Sequence, residues 1–257
     1  MQIIFLLTSN QHLNTRLADG TVLSQILAQA LPYETNGSVF VTADNLADDS
    51  MLAFAKKSAR LNVSPSIGNI GALRAVYDAG LLADGPILMV TDGTLVIAKF
   101  DEIASNSSAK IISLMDRAFW FRSIGAIEKV INWESDEQLE TEKMRPDKMI
   151  SIGDAEELVH ANRRLLGIGY SSKNALERSY TEEFGVIPPV YLHEEAEVYS
   201  SMIGPYVSIG AGALVQNCVL ENCIIDDGAK ISNLNLRDSI IGRGQEVIGV
   251  AETIIKP

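Results

Sequence analysis

A handful of side chains in this sequence have types and positions that could do chemistry. Arg16 falls in the loop between an apolar first strand and a helix, where a guanidinium can meet a phosphate; an ordinary surface arginine is the plain alternative. Asp92 stands at the end of the apolar run Pro86–Val90, at the carboxyl end of a strand where ligands gather, and a turn residue is its plain alternative. His193 could serve as a general base beside the C-terminal segment, or simply be solvated at a corner. His12 and His160 have no cysteine or second histidine at ligand spacing, which speaks against a zinc site. Phe119, Trp120 and Phe121, with Trp133 following, form an aromatic cluster suited to a core or a subunit contact, with base stacking the sharper option.

The rest of the composition narrows what those groups can meet. A net charge of −12 would repel nucleic acid and anionic membrane, so neither is expected as a partner. The N-terminus is apolar only over Ile3–Leu7 and lacks a basic flank, so it reads as a first strand and not a signal peptide. Two cysteines, Cys218 and Cys223, occupy small core positions of the repeat described next, as expected of reduced thiols and a cytoplasmic setting.

The C-terminal segment repeats. Bulky aliphatic residues recur every five or six positions after Val190, and three such steps make one coil. Every third residue then stacks, giving the columns Leu192, Ile209, Ile225, Ile241; Val198, Val215, Ile231, Val247; and Ile203, Leu220, Leu236. Two residues before each bulky position the chain is mostly small, as the narrow corners of a triangular prism require, with Leu234 and Gln245 as exceptions. Gly204-Pro205, Gly210-Ala-Gly212, Asp226-Asp-Gly228 and Gly242-Arg-Gly244 mark the corners. This spacing predicts a left-handed parallel β-helix of about three and a half coils over residues 190–247.

Before the repeat the pattern is α/β. Strands are expected at Ile3–Leu7, Ser38–Thr42, Pro86–Val90, Lys110–Met115 and Met149–Ile152. Helices are expected at Val22–Leu31, Asn45–Arg60, Gly71–Leu82 and Ala155–Leu166, the last opened by Asp154 and Glu157 as a capping box. Strands alternating with helices imply a Rossmann-like, mostly parallel sheet covered on both faces.

Several segments resemble the sugar-1-phosphate nucleotidylyltransferases, also called NDP-sugar pyrophosphorylases, most of all the long glucose-1-phosphate thymidylyltransferase type. They are Ile187-Pro-Pro-Val-Tyr-Leu192, Ser201–Gly210, Ser151–Leu166, Ile67–Leu73, Pro86–Gly93 and Leu6–Leu17, in the family's order. The resemblance implies the fold class in full: α/β, a nucleotidyltransferase-type sheet over residues 1–168, a linker over 169–186 and the β-helix over 187–257. It implies nucleotide contacts from Thr8, Asn10, Thr15, Gly68, Asn69 and Gly71, a catalytic phosphate contact from Arg16, and Asp92 as the metal ligand for Mg²⁺. It also implies a homo-oligomer held through the β-helix.

The departures fall where the chemistry is. The loop Thr8–Leu17 keeps Thr15, Arg16 and Leu17 but none of the glycines that let backbone amides wrap a triphosphate. The family's lysine-bearing segment after this loop is missing, and no lysine occurs before Lys56. The second metal carboxylate is replaced by Ser151, and Asp92-Gly93 stands in reversed order, one residue out of place. Three functions follow: a binding, regulatory or scaffolding subunit that takes a nucleotide or sugar nucleotide and has impaired catalysis, an active pyrophosphorylase with a rebuilt site and Mg²⁺, or a β-helix acyltransferase. The first is favoured, acting as a homo-oligomer or as a heteromer beside an active relative.

Overall fold

The structure, a computed structural model, describes residues 1–8, 12–43, 57–96, 100, 105, 107–133, 140–144 and 149–249. The chain packs as two compact units, Met1–Gln11 with Gln25–Gly153, and His12–Ser24 with Asp154–Pro257.

The first unit is built on seven strands: β1 (Gln2–Leu7), β2 (Ser38–Thr42), β3 (Ser58–Asn62), β4 (Ile87–Thr91), β5 (Ile111–Leu114), β6 (Ala118–Phe121) and β7 (Glu142–Met144). They lie in the order β7-β5-β6-β4-β1-β2-β3, all parallel except β6, which runs against both its neighbours. Strands β1, β2 and β4 are buried along their whole length, as continuous apolar runs covered on both faces must be. On one face Ile4, Leu6, Val39 and Val41 pack with Leu73 and Val76 of α2 (Gly68–Asp78) and Ile127 of α3 (Ile124–Ile131), counting Val22–Ala30 as α1. Arg74 donates to the Ile131 carbonyl and Tyr77 donates to Glu128 at 2.8 Å, which ties α2 to α3. On the other face Phe5 and Phe40 stack with ring centroids 5.1 Å apart. This is the expected Rossmann-like, mostly parallel sheet.

Two expectations for this unit change. The helix read over Asn45–Arg60 is wrong at its C-terminal end, because Ser58–Asn62 is strand β3, paired residue for residue with β2; residues 44–56 lie outside the described set. Strand β6, unexpected from the sequence, holds the aromatic cluster and follows a tight turn in which Met115 and Asp116 take φ of 54° and 57°. Ser113 fastens that turn by donating its hydroxyl to Asp116 at 2.8 Å, a job usually signalled by Gly or Asn.

The second unit contains the repeat, and the repeat is a parallel β-helix of three four-stranded sheets. The ladders pair Leu192 with Ile209, Ile209 with Ile225 and Ile225 with Ile241, and the other two columns stack as expected. The coils begin earlier than the spacing suggested, at Gly185–Val186, where Val186 heads the column of Ile203, Leu220 and Leu236. Cys218 and Cys223 are free, fully buried thiols in the small inward positions. Leu234 packs against the same core from its partly buried position, whereas Gln245 is exposed and accepts the Gly242 amide at 2.9 Å, bracing a corner.

The first coil presents an open strand edge, which has to be covered. Ser172 covers part of it, donating its amide to the Val190 carbonyl and accepting the Leu192 amide on its hydroxyl at 2.8 Å. Arg178 of α5 (Ala175–Thr181, after α4 at Ala155–Gly167) donates to the carbonyls of His193 and Ala196, each at 2.8 Å, while paired with Glu182. Among the described helices none is long and apolar enough to cross a membrane.

The columns make a direct stability prediction. Ile225 is wholly buried between Ile209 and Ile241. Replacing it with Asp places an unpaired charge mid-column and should cost about 3–5 kcal/mol in urea unfolding. Wild-type stability in Ile225→Asp would refute the stacking.

Candidate functional site

The sheet of the first unit reverses direction at β1. The chain builds outward from β1 to β2 and β3, then returns to lay β4 on the other side. The carboxyl ends of β1 and β4 therefore flank the crevice where open α/β sheets hold ligands. Thr8 follows β1 and Asp92 follows β4, and the Asp92 amide donates to the Leu6 carbonyl at 3.0 Å. Helix α2 starts at the same edge with Gly68, Asn69 and Gly71, and no side chain caps its first amides. Gly68 needs its glycine, since its φ is +64°. At Gly71 a Cβ would come 2.9 Å from Ile67 Cβ. The structure thus gathers Thr8, Gly68, Asn69, Gly71 and Asp92 at one edge; Asn10 lies outside the described residues.

The two positions implied for metal carboxylates do come together. A short strand Met149–Ser151 pairs antiparallel with Thr94–Val96, setting Ser151 opposite Thr94, and the Ile152 amide donates to the Gly93 carbonyl at 3.1 Å. Only Asp92 of the pair carries a carboxylate, and it is 5% exposed. Arg117, unmarked by any sequence signal, donates to the Gly93 carbonyl at 2.7 Å and fixes this turn. Among the described residues no three His, Cys, Asp or Glu side chains cluster as metal ligands. One buried carboxylate beside a serine does not fit the two-carboxylate arrangement expected for Mg²⁺.

Thr15 and Arg16 belong to the second unit. There Arg16–Leu17 pairs with Gly20–Thr21 as a small hairpin. Arg16 donates from Nε at 2.9 Å and Nη2 at 2.7 Å to Asp227 Oδ1, and its side chain is only 7% exposed. Its amide donates to Asp226 Oδ1 at 3.3 Å, and its guanidinium lies 5.5 Å from the Tyr191 ring centroid. Asp227 also accepts the Ala211 amide at 3.0 Å and Arg243 Nη2 at 3.0 Å. Gly210 makes room for this carboxylate, since a Cβ there would sit 2.3 Å from Asp227 Oδ1. Burial pushes the Asp227 carboxyl up, but the Arg16 hydrogen bonds and charge, helped by Ala211 and Arg243, hold it below its ordinary value. Burial wins at Asp226, whose carboxyl is raised.

A residue with no flagged role completes the junction. Asn162 of α4 is wholly buried; its Oδ1 accepts the Ala18 amide at 2.9 Å and the Ser208 hydroxyl at 2.6 Å, and its Nδ2 donates to the Tyr206 carbonyl at 3.3 Å. One amide thereby joins hairpin, helix and coil. A polar residue on the buried face of an amphipathic helix was the available signal. His193 accepts the Glu195 amide on Nδ1 at 3.2 Å, a turn-bracing role.

No protein-family model and no curated protein matches this chain. Among solved structures it is similar to a nucleoside-diphosphate-sugar pyrophosphorylase from Vibrio cholerae RC9, with a TM-score of 0.44 and 10% identity, over 62% of this chain and 98% of that one. It is also similar to HddC from Yersinia pseudotuberculosis, with a TM-score of 0.46 and 10% identity, over 62% of this chain and 97% of that one. Residue roles rest on this chain's own side chains.

The Arg16–Asp227 pair predicts both a magnitude and a pH dependence. Arg16→Ala removes the main cation of the half-buried Asp227 carboxylate, leaving it Arg243 and the Ala211 amide, and should cost about 1–3 kcal/mol. A depressed carboxyl contributes stability that is present above its unfolded pKa and lost as pH falls through the folded value. The stability gap between wild type and Asp227→Asn, from urea titrations, should therefore shrink as the pH falls below about 5. A gap that widens on acidification would show that Arg16 does not hold Asp227 ionised.

Proposed function

We propose that this chain is a nucleotidyltransferase-family protein of the sugar-1-phosphate nucleotidylyltransferase kind, acting as a binding, regulatory or scaffolding subunit with impaired catalysis. The observation that carries this reading is the engagement of Arg16. A guanidinium bonded twice to Asp227, with Asp226 beside it, is not presented to a phosphate, and an anion drawn there meets two carboxylates. Transfer of a nucleotidyl group is mostly positioning and charge neutralisation, so losing cationic contacts removes the means of catalysis. Ser151 in a metal position and the absence of any lysine before Lys56 support the same reading.

Binding is a separate matter, and one observation favours its retention. Thr8, Gly68, Asn69 and Gly71 converge on the carboxyl edge of the sheet, with the uncapped amides of α2 among them. A nucleotide or sugar nucleotide is the ligand we assign there. The assembly proposed with it is a homo-oligomer through the β-helix, or a heteromer beside an active relative, in the cytoplasm.

Purified protein mixed with Mg²⁺, each common nucleoside triphosphate and a panel of sugar 1-phosphates should release no pyrophosphate above background. Robust turnover abolished by Asp92→Asn would restore the enzyme reading. Light scattering on the full chain should give a mass above that of one 27.9 kDa protomer; a monomer at all concentrations would remove the assembly.

A further inference from the structure

A second cleft, of about 680 Å³, lies wholly within the unit that holds the β-helix. Its size is within the roughly 300–1,000 Å³ of small-molecule sites. One wall is a face of α4 carrying Glu156, Val159, His160 and Arg163, spaced so that all point the same way. The other wall is a β-helix corner with Asn222, Arg237, Asp238 and Ile240.

The polar groups of this cleft are incompletely used. Asn222 is 6% exposed; its Nδ2 donates to Asp238 Oδ1, and its Oδ1 is buried without any hydrogen-bond partner among the described residues. The neighbouring corner ladder differs, since Asn217, which donates to Asn233 at 3.3 Å, and Asn233 itself are both exposed. Arg163 makes no hydrogen bond or ion pair among the described residues. Its guanidinium instead lies 4.8 Å from the Tyr206 ring centroid, which holds the group flat and leaves its N–H edges open. The side chains of His160 and Glu156 have no partner among the described residues either.

We infer that this cleft binds a neutral polyhydroxylated ligand, a mono- or disaccharide. The reason is the interleaving of unmet donors and acceptors. Arg163 and His160 offer N–H groups, while the Glu156 carboxylate accepts, and a hydroxyl serves both. Arg163 and Arg237 line the cleft together with Glu156 and Asp238, so neither an anion nor a cation gains a net field there, and the overall charge of −12 opposes an anion further. Val159 and Ile240 add apolar surface for the C–H face of a sugar ring. This site is independent of the nucleotide reading.

The test is calorimetric titration of the full chain with glucose, galactose, mannose and maltose, and with inorganic phosphate as the anionic probe. Saturable binding of at least one neutral sugar is expected. Glu156→Ala and Arg163→Ala, both at exposed helix positions, should each weaken it about tenfold or more while lowering the melting temperature by no more than a few degrees. The inference is overturned if no neutral sugar binds, if binding is indifferent to both substitutions, or if phosphate alone binds in an Arg163-dependent way.

Discussion

The second unit depends on how a carboxylate is held inside a corner of the β-helix. Asp227 sits where Gly210 has given up its side chain and accepts from Ala211, Arg16 and Arg243. A buried carboxylate is tolerable only with a matching cation and satisfied lone pairs, so Arg16 is required as much by Asp227 as the reverse. Holding Arg16 there places the hairpin Arg16–Thr21, which brings Ala18 under Asn162, which in turn fixes α4 against Ser208 and Tyr206. Hairpin, helix and coil are thereby specified by two polar contacts, where an aliphatic interface alone would tolerate sliding.

The β-helix was legible almost to the residue because its period is a one-dimensional signal. Stacked coils put the same chemistry at fixed intervals, and the columns of Ile209, Ile225 and Ile241 could be written from spacing alone. The α/β unit was legible in its central strands, whose unbroken apolar runs have few alternatives. Its periphery was not. Strand β3 is an edge strand with polar and half-exposed residues, and its identity is fixed by its pairing with β2. The β5–β6 hairpin hid because its left-handed residues are Met115 and Asp116, with no glycine to announce the turn.

The candidate site was legible in part for a related reason. Thr8, Gly68 and Asp92 end or follow parallel strands, so topology carries them to one edge whatever else the sequence does. Arg16 was drawn into the same group by its nearness to β1 in sequence, yet its partner is 211 positions away. No local pattern reports such a pairing. Asp226-Asp227-Gly228 read as a turn, which it is, and the acceptor role of its second carboxylate appears only when the coils are stacked.

The second unit is assembled from two stretches of chain separated by most of the other unit. That has a kinetic consequence. During synthesis the hairpin around Arg16 is made before the corner at Asp227, and 211 positions of chain separate it from that partner. Closing so long a loop is entropically unfavourable and slow relative to local coil stacking, which proceeds between neighbouring rungs. The rungs can therefore form before their polar clamp, and docking of the Arg16 hairpin follows coil stacking. By the same reasoning, a fragment starting at Asp154 would inherit the coils and Arg243 without Arg16.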